Sequence, residues 1–183
     1  EDCYVTGYGR YSFMAFGSDH VIFRRAVARL DAVNGSGMPI AHFINYDSTD
    51  VEFQNCLALD SDDTHYTNYE GTYGGFTVRM PYDGGSGALY YSGNTAIRGS
   101  MALHIHHAAK GVGGLCLPNQ SGGVQVEHSV FWDQARGYQP YRSGSIVDDF
   151  AVRHTTFGQM TSNDPSHLRQ ALAGFVNADR SAY

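Results

Sequence analysis

The chain has 183 residues, 42% of them hydrophobic, enough for one domain with a packed core and too many for a disordered chain. Twenty-two glycines, 13% aromatic residues and only 16% charged residues favour turns and strands over solvated helices, so an all-β class is expected. A net charge of -6, with Lys110 as the single lysine and no basic run, argues against nucleic acid as a partner. No apolar run approaches the roughly 18 residues that would span a bilayer.

At the N-terminus, "CYVTGYGRYSF" enters in mid-pattern without a cap, and either more chain or a neighbouring subunit is expected to cover it. An internal repeat follows. Residues 13–31, "FMAFGSDHVIFRRAVARLD", overlie residues 43–61, "FINYDSTDVEFQNCLALDS", at a shift of 30, so that Phe13/Phe43, Ser18/Ser48, Val21/Val51, Phe23/Phe53 and Ala28/Ala58 coincide. The second unit reads as a strand "AHFINYD", a turn "STD", a strand "VEFQ", a bend at Asn55 and a strand "CLALD". Period-two alternation makes these segments strands with one buried face. Asparagine tolerates the left-handed conformation a one-residue bend requires.

Further along, the apolar-x-apolar signature returns at Phe76-Thr77-Val78, Leu103-His104-Ile105, Val124-Gln125-Val126 and Phe150-Ala151-Val152. Intervals that wander between 21 and 30 residues suit stacked units joined by loops of variable length. This alignment predicts a bend row of Arg25, Asn55, Met80, His107, His128 and His154, with the three histidines stacked. It also predicts an outward row of Arg24, Gln54, Arg79, His106, Glu127 and Arg153. In the last stretch, "NDPSHLRQALAGF" has Asp164 as N-cap, Pro165 at the first helical position and Gly174 as a stop. A short helix and tail over 163–183 is therefore expected to cap units spanning 1–162.

The turn-strand-Asn-strand pattern of "STDVEFQNCLALD" and "GGVQVEHSVFW" resembles right-handed parallel β-helix repeat proteins of the pectate-lyase-like architecture. The resemblance implies a solenoid of about six coils. Members of that family include polysaccharide lyases and hydrolases, phage tailspikes and adhesins, most of them working outside the cytoplasm, and an extracytoplasmic location is the corresponding expectation. It also implies that the loops after the third strand of each coil flank a sugar-binding groove. Here those segments carry Asp133, Arg136, Tyr138, Tyr141 and Arg142, together with His65, Tyr66 and Tyr69. Tyrosine faces stack on sugar rings and Arg and Asp bind hydroxyls and carboxylates, although loop-on-loop packing would use the same residues.

Other clusters have two readings each. Asp60, Asp62 and Asp63 crowd hard oxygen ligands suited to Ca²⁺, the one cofactor the residues suggest, yet without the spacing of a known calcium loop, so a solvated acidic loop is the alternative. His104, His106 and His107 look like a metal motif, but on a strand the first two stand about 7 Å apart, and an outward polar row accounts for His106. Asp148 and Asp149 would face opposite ways on a strand and suit a turn better than a catalytic pair. Cys3, Cys56 and Cys116 are too few and too scattered for a disulfide framework, and Cys56 reads as a buried small apolar residue.

No P-loop, nucleophile elbow, zinc-protease helix or dinucleotide fingerprint is present. Two functions stay open. One is a non-catalytic β-helix segment of a larger surface, fibre or adhesin-like protein, structural and carbohydrate-binding, with polysaccharide or stacked neighbouring subunits as partners. The other is a polysaccharide lyase or glycoside hydrolase, for which the resemblance implies a groove base, with Arg79, Arg136 and Arg142 as candidates.

Overall fold

The computed structural model describes residues 1–7, 11–30, 41–60, 74–79, 92–105, 113–117, 122–134, 136–140 and 150–160. Within them the chain forms β1 (Tyr4–Gly7), β2 (Tyr11–Phe16), β3 (Asp19–Arg24), β4 (Val27–Leu30), β5 (Ala41–Tyr46), β6 (Thr49–Gln54), β7 (Leu57–Asp60) and β8 (Phe76–Arg79). It continues through β9 (Gly93–Arg98), β10 (Met101–Ile105), β11 (Gly113–Leu117), β12 (Gly122–Glu127), β13 (Val130–Gln134), β14 (Arg136–Pro140), β15 (Phe150–Arg153) and β16 (Thr156–Met160). The expected all-β class is observed, and no helix occurs among the described residues. The helix expected over 163–183 lies outside them.

Each strand pairs in parallel with the third strand after it. The first sheet has the order β1-β4-β7-β10-β13-β16, the second β2-β5-β8-β11-β14 and the third β3-β6-β9-β12-β15. After β1 the chain therefore visits second, third and first sheet in rotation, five times over, and each such passage is one round.

The 30-residue shift holds residue for residue between the first two rounds: Phe13 faces Phe43, Val21 faces Val51, Phe23 faces Phe53 and Ala28 faces Ala58. Val124 and Phe150 also take the third-sheet places expected for them, and the expected alignment is corrected between, at Phe76 and Leu103. Phe76-Thr77-Val78 pairs with Phe43-Ile44-Asn45 in the second sheet, and Met101-Ala102-Leu103 pairs with Leu57-Ala58-Leu59 in the first. The third-sheet strand of that round is β9, where Thr95 and Ile97 face Val51 and Phe53. Its apolar signature is broken because Thr95 is a buried hydrogen-bond partner, accepting from Asn45 Nδ2 at 2.8 Å.

The three sheets pack on one core. Phe13, Phe43 and Phe76 stack face to face at 5.0 and 4.9 Å, and Phe23 stacks on Phe53 at 5.4 Å. Phe53 meets Phe43 and Phe76 edge-on at 5.7 Å, which locks second and third sheets together, and Phe131 from the first sheet meets Phe76 at 6.3 Å. Aromatic pairs in these geometries add about 0.5–1.5 kcal/mol each beyond their burial. Gly75 gives room to this packing, since a Cβ there would lie 2.9 Å from the Gly114 carbonyl and 3.0 Å from the Ala102 methyl.

The bend after each third-sheet strand is left-handed: φ is 51° at Arg25, 53° at Asn55, 58° at Gly99, 51° at His128 and 49° at His154. The expected row is thus right in four members and corrected in its middle, where Gly99 stands. Met80 and His107 lie outside the described residues. Among the described residues the stacked histidines of this row are His128 and His154, with rings 4.9 Å apart and 9° from parallel.

Behind the bends runs a buried row of Ala26, Cys56, Ser100, Ser129 and Thr155. Ser100 Oγ accepts from the Cys56 amide at 3.1 Å and donates to the Phe53 and Arg98 carbonyls, and Ser129 Oγ accepts from the Ser100 amide at 3.2 Å. Cys56 takes the same place with its thiol, 3.4 Å from the Phe23 and Gln54 carbonyls, and burial raises its pKa. The expectation of a buried Cys56 holds.

Candidate functional site

The outer face of the third sheet carries three parallel rows set by register. The central row is Ile22, Glu52, Ala96 and Gln125. Beside it run Arg24, Gln54, Arg98, Glu127 and Arg153, in which Arg98 occupies the place expected for Arg79 and His106. Arg79 instead ends β8 opposite Tyr46, and His106 lies outside the described residues. On the other side stand His20, Asp50, Asn94 and Gly123, the second residue of four successive third-sheet strands.

That last row has φ values of 56°, 52°, 45° and 61°. A strand residue in the left-handed region interrupts the alternation of side chains, so His20 turns towards the side of its neighbour Asp19 instead of away from it. The central row and the His20 row, with Arg98 from the third, line a trough of about 360 Å³, within the size range of small-ligand sites. Ile22 and Ala96 supply apolar surface, and Asp50, Glu52, Asn94, Arg98 and Gln125 supply polar groups.

The charges in the trough are organised around Arg98. Its guanidinium donates to Glu52, to Glu127 Oε2 at 3.2 Å and to Gln125 Oε1 at 3.2 Å. Hydrogen bonding to Glu52, reinforced by Glu127, raises the Arg98 pKa further above its ordinary range. Arg24 Nε donates to Gln54 Oε1 at 2.7 Å, and Arg153 Nη1 lies 3.7 Å from Glu127 Oε1. At the opposite wall the hydrogen bond from Thr49, 2.6 Å long, lowers the pKa of the Asp19 carboxyl.

Those candidates suggested by the amino-acid pattern that are among the described residues fall elsewhere. Asp133 lies within β13 and Arg136 and Tyr138 within β14, in paired strands rather than in the loops expected for them; Arg136 faces Gly113 and Tyr138 faces Leu115. Asp60 is the last residue of β7 and His104 lies in β10. Asp62, Asp63, His65, Tyr66, Tyr69, Tyr141, Arg142, Asp148 and Asp149 lie outside the described residues. The trough residues Asp50, Asn94 and Arg98 were missed, although the 30-residue shift already stacks His20 on Asp50. Asn94 and Arg98 needed the corrected alignment.

No protein-family model matches the chain, and no curated protein or solved structure matches it either.

Proposed function

We propose that the chain is a non-catalytic segment of a right-handed parallel β-helix, part of a larger surface, fibre or adhesin-like protein outside the cytoplasm, and that its trough holds carbohydrate. One observation carries the reading: the charged side chains of the trough engage one another from coil to coil. Arg98 is occupied by Glu52, Glu127 and Gln125 at once, which suits a rigid binding face and leaves this arginine a poor proton acceptor.

Pairing of every strand with the third after it supports the solenoid. Apolar surface at Ile22 and Ala96 beside amide and carboxylate groups suits a sugar ring, which offers C–H faces and hydroxyl edges. The first coil suits contact with either more chain or a neighbouring subunit: Phe13, Val21 and Phe23 are only partly buried, while their counterparts Phe43, Val51 and Phe53 are at most 1% exposed.

The test is calorimetric titration with a panel of neutral and uronate oligosaccharides, followed by ultraviolet detection of unsaturated products with and without calcium. Saturable binding that Ala96→Trp and Gln125→Ala weaken at least tenfold, with no product formed, is expected. Release of an unsaturated uronide would establish the lyase instead. Binding untouched by both substitutions would remove carbohydrate from the trough.

A further inference from the structure

At one wall of the trough lies a group of metal-ligand type with a particular geometry. His20 Nδ1 lies 2.9 Å from Asp19 Oδ2, while His20 Nε2 lies 3.5 Å from Asp50 Oδ2. Both carboxylates are held from behind: Asp19 Oδ1 accepts from Thr49 Oγ1 at 2.6 Å and Asp50 Oδ1 accepts from Asn94 Nδ2 at 3.0 Å. Each Asp therefore keeps its other oxygen directed at the imidazole.

The two sides of the ring differ in kind. The Asp19 side has hydrogen-bond length, so Nδ1–H donates to the carboxylate and leaves Nε2 with its lone pair. The Asp50 side is too long for a good N–H···O bond. It fits the edge of a tetrahedron around a zinc ion, about 3.4 Å for metal–ligand bonds near 2.1 Å. Carboxylate, imidazole and metal in line is the arrangement in which an outer carboxylate fixes tautomer and ring orientation and raises the basicity of the ligating nitrogen. Among the described residues these three side chains are the one group of three such ligands whose donor atoms lie within 4.8 Å of one another.

Their neighbourhood favours a cation. Asp19 and Asp50 flank the imidazole on its two sides, and the nearby Arg98 is engaged by Glu52 and Glu127. The open side faces the trough, so an ion held there keeps coordination positions for water or another oxygen donor.

We propose that His20 Nε2 and Asp50 Oδ2 bind one divalent transition-metal ion of the zinc class, with Asp19 as the positioning residue on Nδ1 and Asn94 and Thr49 as outer supports. The ion would join the first two rounds at their left-handed wall, bridging side chains 30 positions apart. A histidine nitrogen with carboxylate oxygen selects zinc, cobalt or nickel over calcium, which takes oxygen ligands alone. The site uses none of Asp60, Asp62 and Asp63, and it stands whether or not the trough binds sugar.

The experiment is titration of the full chain with zinc chloride by calorimetry and with cobalt chloride by visible absorption, after treatment with a chelator. One equivalent of either ion is expected at the site, and zinc is expected to raise the unfolding midpoint. His20→Gln and Asp50→Asn should abolish that equivalent while leaving the far-ultraviolet circular dichroism of the chain unchanged. Asp19→Asn should weaken binding about 10–100-fold and shift the cobalt spectrum, with Asp19→Glu restoring part of the affinity, as expected of an outer ligand partner. No uptake by the wild-type chain would overturn the proposal. So would uptake that persists unchanged in both His20→Gln and Asp50→Asn, since the chain has other histidines.

Discussion

Two rows of left-handed residues border the third sheet, and the same backbone constraint serves different ends in them. The exit row, Arg25, Asn55, Gly99, His128 and His154, turns the chain towards the first sheet, and directly behind it lie the buried hydroxyls of Ser100, Ser129 and Thr155. The entry row, His20, Asp50, Asn94 and Gly123, has solvent and the trough in front of it. Left-handed φ costs a non-glycine residue about 1–2 kcal/mol, so its repetition needs a compensating gain. At the exit that gain is a corner whose amides are satisfied from one round to the next. At the entry it is an outward array of ligand-type side chains, and disturbing the two rows should separate their roles.

The largest effect is expected at Gly99→Val. A branched side chain would be forced into φ of 58°, and its Cβ would fall against Asn55 Oδ1. A loss of about 3 kcal/mol in chemical denaturation is expected, the upper part of the range for such strain. A loss below about 1 kcal/mol would show that the corner relaxes freely.

Ser100→Ala comes next. It removes the acceptor of the buried Cys56 amide together with a donor to the Phe53 and Arg98 carbonyls. The cost of such an unsatisfied group is about 1–3 kcal/mol, and urea denaturation measures it. The comparison between rows fails if Ser100→Ala is silent.

In the entry row, by contrast, Asp50→Asn keeps a residue tolerant of the left-handed region and changes only exposed contacts. Stability within about 0.5 kcal/mol of the wild type is expected in metal-free buffer. A larger loss would place the entry row among the structural devices too.

The smallest effect concerns acid. Hydrogen bonding to the exit-row residue Arg25, at 2.6 and 2.7 Å, lowers the pKa of Asp2 below the ordinary value of 3.8. The unfolded state then binds the proton more readily, so the pair contributes stability above the unfolded pKa, and that contribution is lost as pH falls through the folded value. Hydrogen exchange in β1 should accelerate below about pH 4 in the wild type, and Asp2→Asn should remove the step. Exchange in β1 that is flat through that range would show that the pair ties nothing down.

Much of the architecture was legible because it is written in short-range terms. Alternation in "VEFQ" and "CLALD" places one face inward, and the tolerance of Asn55 for positive φ marks the bend between them, so both could be read without knowing any partner strand. The first two rounds could even be aligned, because equal loop lengths kept the Phe13/Phe43 and Phe23/Phe53 pairs at one shift. The trough was legible only at its near wall, where the same shift sets His20 beside Asp50.

What the chain's own pattern determined was an all-β protein of repeated strands with left-handed corners at Arg25, Asn55, His128 and His154. Which strands neighbour one another was decided by tertiary structure, because pairing depends on how much chain each excursion absorbs. Phe76-Thr77-Val78 carries the apolar-x-apolar signature, yet it belongs to the second sheet, where Phe76 completes the stack on Phe43. Thr95-Ala96-Ile97 has a weak one and takes the third-sheet place, because a buried amide from Asn45 satisfies the Thr95 hydroxyl and makes a polar residue acceptable inside. Periodicity reports which way a side chain faces; a hydrogen bond between residues 50 positions apart is invisible to it.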